Sequence, residues 1–321
     1  MINLAVRFLT LFGAFSFLVH AQYLRSDREA SLIDEMLCHG DYVEALKLTE
    51  RDLLIPEADT GPLTPYVGAL FIEVGKLEMA DRVLNLQPDK AYATVSNRAA
   101  LTRERAALLL AKGEYKLSAA EAIEAYKFSV SDRTYKSRRA YAASIAAESL
   151  LRSGDLNEAR EYASRSLKSV ENQKRSASFF IPRVFYTACL VASYSSSPQT
   201  AEPLCLRGLA LTKRSRKPTR DLSLGYLALA EARLKNGNFR GSKDAAIQCL
   251  TLAETLFGPV HQDAVNALEL MSMADARGGR RADAQNEASR SLALARRLFG
   301  PNSRRVAELT EALQSESLTA H

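Results

Sequence analysis

The sequence predicts an all-α protein: a right-handed solenoid of about seven antiparallel helix pairs, ended by a C-terminal capping helix. The tetrapeptide Leu-Phe-Gly-Pro occurs at 256–259 and again at 298–301, so the second copy begins 42 residues after the first. A short turn motif recurs at similar intervals along the chain, and such a period is typical of stacked repeats. Hydrophobic residues are 47% of the chain and charged residues 25%, with only 15 Gly and 10 Pro. This composition favours folded helices joined by short turns.

The N-terminal segment 1–21 has the pattern of a secretory signal peptide. Arg7 is its only charged residue, 8–19 is an apolar run, and small residues precede Gln22. The run is shorter than the ~20 residues that a membrane helix needs. A retained N-terminal anchor and a buried first helix are the alternatives. We therefore expect a secreted or periplasmic protein without a membrane span after cleavage, a solenoid over 22–315 and a flexible tail over 316–321.

A turn motif marks the middle of each predicted helix pair. It consists of a Gly, an apolar residue two positions later and a small residue five positions later. The glycines are Gly40, Gly75, Gly113, Gly154, Gly237 and Gly279, and the last copy has Arg281 in the apolar position. Gly ends the first helix because it adopts the left-handed conformation without steric cost. The long gap after Gly154 predicts a further turn at 196–201, where Ser196 replaces the Gly.

The linkers between pairs are clearest at the two Leu-Phe-Gly-Pro segments. There we expect Leu and Phe to complete the second helix, Gly to cap it and Pro to begin the next pair. After the last linker, the apolar spacing of 303–315 predicts one amphipathic capping helix.

The turn motif resembles that of tetratricopeptide repeats (TPR), which also carry small residues where the two helices touch. On the first helices these positions are Gly68, Ala106, Ala147, Cys189, Ala230 and Ser272. On the second helices they are Ala45, Ala80, Ser118, Ala159, Ala201, Ser242 and Ala284. The 42-residue spacing and the linkers resemble the long repeats of kinesin light chains. The resemblance covers about residues 28–314 and implies a concave groove lined by the first helices.

The same resemblance assigns eight residues to the concave face. They are Arg103, Tyr141, Arg183, Tyr186, Tyr194, Leu227, Glu231 and Met273. Tyr and Arg are frequent anchors of protein interfaces, and such a groove suits an extended peptide or a partner helix. The alternative is that the tyrosines only cover the packed face while their hydroxyls reach water.

Two of the four cysteines fall in the fifth pair, whose turn lacks Gly. In the repeat frame Cys189 takes the contact position of the first helix, and Cys205 faces it from the second. We hypothesise a disulfide between them, which export makes chemically possible. The alternative is two buried free thiols that pack as small apolar side chains. Cys249 fits a packing position, and Cys38 lies near a helix end.

No catalytic, metal or cofactor motif is recognisable. The mature chain has three separate histidines, of which His39 and His261 are interpreted as helix-end residues. We find no His-Glu-x-x-His, no phosphate-binding Gly loop and no Cys-x-x-Cys. The net charge is +6, and the one dense basic run, 213–220, is interpreted as a solvated loop at a helix C-terminus or as an anionic docking site. It lacks the interleaved aromatics typical of nucleic-acid binders, so no nucleic-acid partner is expected.

The sequence therefore predicts an exported, non-enzymatic scaffold that binds a protein or peptide partner in a concave groove. The alternative is a helical-repeat enzyme acting on cell-envelope sugars or peptides, which requires carboxylates that converge at one cleft. A third hypothesis is a structural assembly part that forms oligomers through unsatisfied apolar ends.

Overall fold

The computed structural model describes residues 28–53, 63–85, 94–130, 136–170, 180–195, 198–213 and 217–319. The predicted signal segment and Ser196 lie outside these ranges. Within them the chain forms fifteen α-helices, one 3-10 turn at Pro198–Thr200 and no strand. The all-α prediction is confirmed.

The helices form seven antiparallel pairs and a final single helix, as predicted. The first five pairs are α1 (28–39) with α2 (Tyr42–Leu53), α3 (Thr64–Glu73) with α4 (Leu77–Leu84), α5 (Val95–Lys112) with α6 (Tyr115–Val130), α7 (Lys136–Ser153) with α8 (Leu156–Val170), and α9 (Phe180–Ser193) with α10 (Ala201–Thr212). The last two pairs and the cap are α11 (Arg220–Lys235) with α12 (Phe239–Phe257), α13 (Gln262–Arg277) with α14 (Arg281–Phe299), and α15 (Arg304–Thr319). The capping helix runs past residue 315, so the predicted tail begins inside it.

All six glycines of the turn motif adopt the left-handed conformation, with φ from 75° at Gly75 to 94° at Gly154. The chain reverses within three residues at each of them. At Gly75, for example, the next amide, that of Lys76, donates to the Phe71 carbonyl at 2.8 Å. Gly258 and Gly300 also have positive φ and follow the ends of α12 and α14. Proline does not begin the next helix, however, because α13 starts at Gln262 with His261 as its N-cap.

Small residues bring the two helices of a pair into direct contact. A Cβ atom added to Gly68 would lie 2.4 Å from Cδ2 of Leu84 on the partner helix. Two of the Ser hydroxyls donate across the contact: Ser118 donates to the Ala106 carbonyl at 2.7 Å and Ser272 to the Ala284 carbonyl at 2.8 Å. The buried hydroxyl of Ser242 has no hydrogen-bond partner among the described residues. Gly68, Ala106, Ser118, Ser272 and Ala284 are therefore confirmed as contact positions.

The solenoid curves so tightly that its successive turns touch. A Cβ atom added to Gly40, in the first pair, would lie 2.9 Å from the Pro218 carbonyl before α11. One added to Gly75, in the second pair, would lie 2.9 Å from the His261 ring before α13. The Gly40 and Gly75 turns therefore each contact the linker before a helix pair that lies five pairs further along the chain. These contacts partly enclose the concave side, which the sequence predicted as a concave groove.

A disulfide joins the two helices of the fifth pair. The Sγ atoms of Cys189 on α9 and Cys205 on α10 are 2.12 Å apart, and their Cα atoms 5.4 Å. This is the pairing named by the sequence hypothesis. Cys249 is a buried free thiol, and Cys38 is half-buried.

No helix in the described ranges is both long and apolar enough to cross a membrane.

Candidate functional site: the central cavity

The concave side of the solenoid holds a partly open cavity of about 460 Å³, here called the central cavity. The first helices of pairs two to seven form most of its walls, and Tyr115 from α6 and Phe299, Arg305 and Ala312 from α14 and α15 also reach it. Its volume lies within the roughly 300–1,000 Å³ of typical ligand pockets. Seven of the eight predicted concave-face residues line it, namely Tyr141, Arg183, Tyr186, Tyr194, Leu227, Glu231 and Met273.

Arg103 is the predicted residue that does not line the cavity. It is buried, its Nε donates to Glu104 Oε1 at 2.8 Å, and its guanidinium lies 5.3 Å from the centre of the Phe180 ring. Arg103 thus supports a cavity wall from behind.

Five buried charged residues, here called the closing cluster, join the second helix pair to the fifth, sixth and seventh. They are Glu73, Arg183, Arg220, Asp221 and Asp263. Arg183 donates to the two Glu73 oxygens at 2.8 and 2.7 Å and to Asp221 at 2.6 Å. Arg220 donates to Asp263 at 3.0 and 3.1 Å, and its Nη1 lies 3.4 Å from Glu73 Oε1. Glu73 is therefore the acceptor that the N-terminal part of the solenoid presents to two arginines of the C-terminal part.

The surroundings shift the pKa values of the three carboxylates in the closing cluster in different directions. Burial opposes ionisation of Glu73, but Arg183 and Arg220 together outweigh it and hold its pKa below the ordinary value. Burial likewise opposes ionisation of Asp263, and Arg220 keeps its pKa low. At Asp221 burial prevails over Arg183, so the pKa is raised.

His261 completes this contact from the linker before α13. The Asp263 amide donates to its Nδ1 at 3.2 Å, so Nε2 carries the proton and donates to the Glu73 carbonyl at 3.1 Å. Its ring stacks on that of Phe257, with the ring centres 4.3 Å apart. The Phe257 ring in turn packs edge-to-face with that of Tyr42, with the ring centres 5.1 Å apart. The interpretation of His261 as a helix-end residue is confirmed. His39 likewise lies at the end of α1, where its Nδ1 is 2.8 Å from the Glu35 carbonyl.

We expect acid to weaken the fold through His261. Burial lowers the pKa of this imidazole, an effect that nearby Asp263 only partly offsets and Arg220 reinforces. The unfolded chain binds a proton near the ordinary pKa of 6.5, so the free energy of unfolding falls below that pH by up to about 1.4 kcal/mol per pH unit. Urea unfolding at about pH 7.5 and 5.5 measures this slope. Other groups also titrate in this range, so the wild type is compared with His261→Gln. The unfolding free energy should depend less steeply on pH in this variant. Equal slopes would show that His261 does not cause the acid sensitivity.

Tyr141 and Tyr186 support the cavity wall as well as line it. The Tyr141 hydroxyl accepts from Arg183 at 3.1 Å, and its ring stacks on Phe180 at 4.4 Å. The Tyr186 hydroxyl lies 2.6 Å from Thr212 Oγ1 in a hydrogen bond. Its ring fills the space over Gly225, where an added Cβ atom would lie 2.6 Å from the Tyr186 ring. Their predicted role as partner anchors stays a prediction.

A second group of charges lines the other part of the cavity. Arg152 on α7 donates to both oxygens of Glu231 on α11 at 2.8 and 2.7 Å. The Tyr194 hydroxyl also donates to Glu231, at 2.7 Å. Burial opposes ionisation of Glu231, but Arg152 outweighs it and lowers the pKa. Nearby, Arg305 of the capping helix donates to Glu269 at 2.6 Å. Tyr194 and Glu231 thus lie in the cavity wall, bonded to each other.

Glu73, Arg152 and Asp263 were not predicted from the sequence as residues of the site. The interpretation of Arg220 as part of a solvated loop is wrong, because it is buried and paired with Asp263. Lys217, from the same basic run, does lie at the surface, where it pairs with Asp41. The sequence feature that could have identified Glu73 is its position, because it is the only charged residue in the otherwise apolar helix α3.

Among the described residues, no group of three or more His, Cys, Asp or Glu side chains is arranged to hold a metal ion.

The stacked helix pairs and their partly enclosed concave side define the class of this protein: it has the TPR-type α-solenoid fold. Over 92% of its length it is similar to the crystal structure of a Rap protein complexed with competence and sporulation factor, with a TM-score of 0.65, 13% identity and 88% of that chain covered. Two structures of nearly identical TPR-like repeats of a kinesin light chain from Podosopora anserina are similar over 63% and 64% of this chain. Their TM-scores are 0.46 and 0.45, both with 15% identity, and 96% and 98% of those chains are covered. No protein-family model and no curated protein sequence matches.

Proposed function

We propose that this protein is an exported, non-enzymatic scaffold that binds a short peptide, or an extended segment of a protein partner, in the central cavity. The cavity volume of about 460 Å³ carries the proposal. A helix with its side chains is about 10–12 Å across, so this volume holds roughly one helical turn. An extended segment therefore fits better than a partner helix. The Rap protein of similar fold, complexed with competence and sporulation factor, supports ligand binding by such a solenoid.

The cavity walls are arranged for binding with little rearrangement. Ion pairs such as that of Arg152 with Glu231 fix the charged parts of the wall. Half-buried apolar side chains, including Leu227 and Met273, face the same space and offer contact area to apolar side chains of a ligand. A preformed site of this kind lowers the ordering cost of binding.

Export rests on the signal-peptide pattern of residues 1–21. N-terminal sequencing of the protein recovered from the periplasm or medium is expected to begin at Gln22.

Filling the cavity should abolish binding. Leu227→Trp places a large side chain in the cavity, and we expect it to weaken the binding of selected peptides at least about tenfold, by steric exclusion. The measurement is affinity selection from a randomised pentapeptide library, followed by titration of the enriched peptides. The matched control is Leu206→Trp, at a 48% exposed position on α10, which should leave binding unchanged. The proposal fails if the folded wild type enriches no peptide, or if Leu227→Trp binds as the wild type does.

One observation favours the enzymatic alternative. Glu148 and Glu231 lie in the same cavity; burial raises the pKa of Glu148, whereas Arg152 outweighs burial to lower that of Glu231. Two carboxyl groups with opposite shifts are typical of glycoside hydrolases. Both oxygens of Glu231 already accept hydrogen bonds from Arg152, however, which disfavours its use as a base or nucleophile.

We expect the protein to release no soluble fragments from purified cell-envelope polymers. Fragments released by the wild type but not by Glu148→Gln would favour the enzymatic alternative.

The assembly hypothesis is separated by light scattering of the purified protein. A concentration-dependent series of oligomers would favour a structural part over a ligand-binding scaffold.

A further inference from the structure

Six carboxylates line the central cavity, and five of them have a guanidinium partner at close range. The pairs are Glu73 with Arg183 at 2.7 Å, Glu104 with Arg103 at 2.7 Å, Glu231 with Arg152 at 2.7 Å, Asp263 with Arg220 at 3.0 Å, and Glu269 with Arg305 at 2.6 Å. The exception is Glu148.

Glu148 lies on α7 and its side chain is 27% exposed, facing the cavity. Its only ion-pair contact in the described structure is Arg152, with Nη2 at 4.0 Å from its Oε1. Both terminal nitrogens of Arg152 already donate to Glu231 at 2.8 and 2.7 Å. Within the described ranges no side chain or amide donates a hydrogen bond to Glu148. The cavity wall therefore holds one carboxyl group whose acceptors are left for a ligand.

A partly enclosed carboxylate without donors is costly, because water that would solvate it is partly excluded. Burial raises the pKa of Glu148, and Glu231 on α11 adds to this effect. Arg152 on its own helix, Arg220 on α11 and Arg183 on α9 oppose it without reversing it. A donor with positive charge would supply the missing hydrogen bonds and add to the positive charge that favours the ionised carboxylate.

We propose that Glu148 binds an ammonium or guanidinium group of the segment held in the central cavity, so that the preferred ligand is a short peptide with a basic residue next to apolar ones. The inference rests on the proposed function, since it names the ligand class of the same cavity. Ile145 lies one helical turn before Glu148 and also lines the cavity, and Leu224 and Leu227 line it from α11. These apolar side chains provide contacts for the neighbouring residues of the ligand, while the cation reaches Glu148.

The test uses two matched peptides, acetyl-Leu-Arg-Leu-amide and acetyl-Leu-citrulline-Leu-amide, which differ in a guanidinium and its neutral urea counterpart. Calorimetry should show at least about a tenfold preference of the wild type for the Arg peptide. Glu148→Gln keeps the shape of the side chain and should lose this preference while its affinity for the citrulline peptide is unchanged. Glu124→Gln, at an exposed position on α6, is the control and should behave as wild type.

A proton readout distinguishes direct contact from a general effect on the cavity. Binding a cation favours the ionised carboxylate, so the wild type should release a proton on binding the Arg peptide at mildly acidic pH. Titration in two buffers of different ionisation enthalpy measures that release, which should be absent in Glu148→Gln.

The outcomes separate this inference from the proposed function. Equal affinity of the wild type for the two peptides, a preference retained by Glu148→Gln, or a library selection that enriches peptides without basic residues each overturns the cation assignment, although binding in the cavity stands. If the selection enriches no peptide at all, the proposed function fails and this inference fails with it.

Discussion

Replacing Glu73 by alanine is expected to lower the free energy of unfolding by about 3–5 kcal/mol, the usual cost of breaking a buried ion pair by removing one partner. The variant leaves Arg183 without two acceptors at 2.8 and 2.7 Å and removes the carboxylate 3.4 Å from Arg220. Both guanidiniums stay largely buried, so their charges lose part of their compensation although Arg183 keeps Asp221 and Arg220 keeps Asp263. Urea unfolding followed by circular dichroism measures the loss.

The matched control is Glu78→Ala, on the next helix α4, where the side chain is exposed. It should change stability by no more than about 0.5 kcal/mol. Glu73→Ala should also increase the radius of gyration in small-angle scattering, because Glu73 joins the second helix pair to pairs five and six. A change below about 1 kcal/mol without expansion would show that the closing cluster does not hold the superhelix together.

Loss of the disulfide is expected to cost about 3 kcal/mol, since it closes a loop of 16 residues between Cys189 and Cys205. The Cys189→Ala/Cys205→Ala double variant should unfold at lower urea concentration than the oxidised wild type. A non-reducing peptide map should recover the two cysteines in one linked species. Reductant should destabilise the wild type but not the double variant. Free alkylation of both thiols in the native protein would show that the bridge is absent.

The repeat architecture was predictable because its causes are local. A left-handed Gly such as Gly113, followed five residues later by a small residue such as Ser118, fixes one turn and one helix contact within a few residues. The same rule gave the number of pairs, while the apolar spacing of 303–315 gave the capping helix and the TPR resemblance gave the positions on the concave side. Seven of the eight residues assigned to that side line the cavity for this reason.

The closing of the solenoid was not predictable in this way. Glu73 and Arg183 are 110 positions apart, and no periodic pattern relates them. Small changes of angle between successive pairs accumulate along the chain, and only their sum determines which turn meets which linker. Arg220 carried no local sign of burial, because a basic run before a helix is ordinarily solvated. Glu148 was equally hidden: its distinguishing feature is that no group in the described ranges donates a hydrogen bond to it, which only the folded structure reveals.

Contact between the first and sixth helix pairs is essential to the closed superhelix, and a zero-length cross-link tests it directly. Lys217 Nζ and Asp41 Oδ1 form an ion pair across this contact, although they are 176 residues apart in sequence. Carbodiimide treatment should therefore join them by an amide bond within the monomer, detected by mass spectrometry, and the yield should fall in Glu73→Ala. Lys112 and Asp81, an exposed pair at 3.2 Å between neighbouring helices, provide the positive control. A protein that cross-links Lys112 to Asp81 but never Lys217 to Asp41 would contradict the closed superhelix and, with it, the partly enclosed cavity.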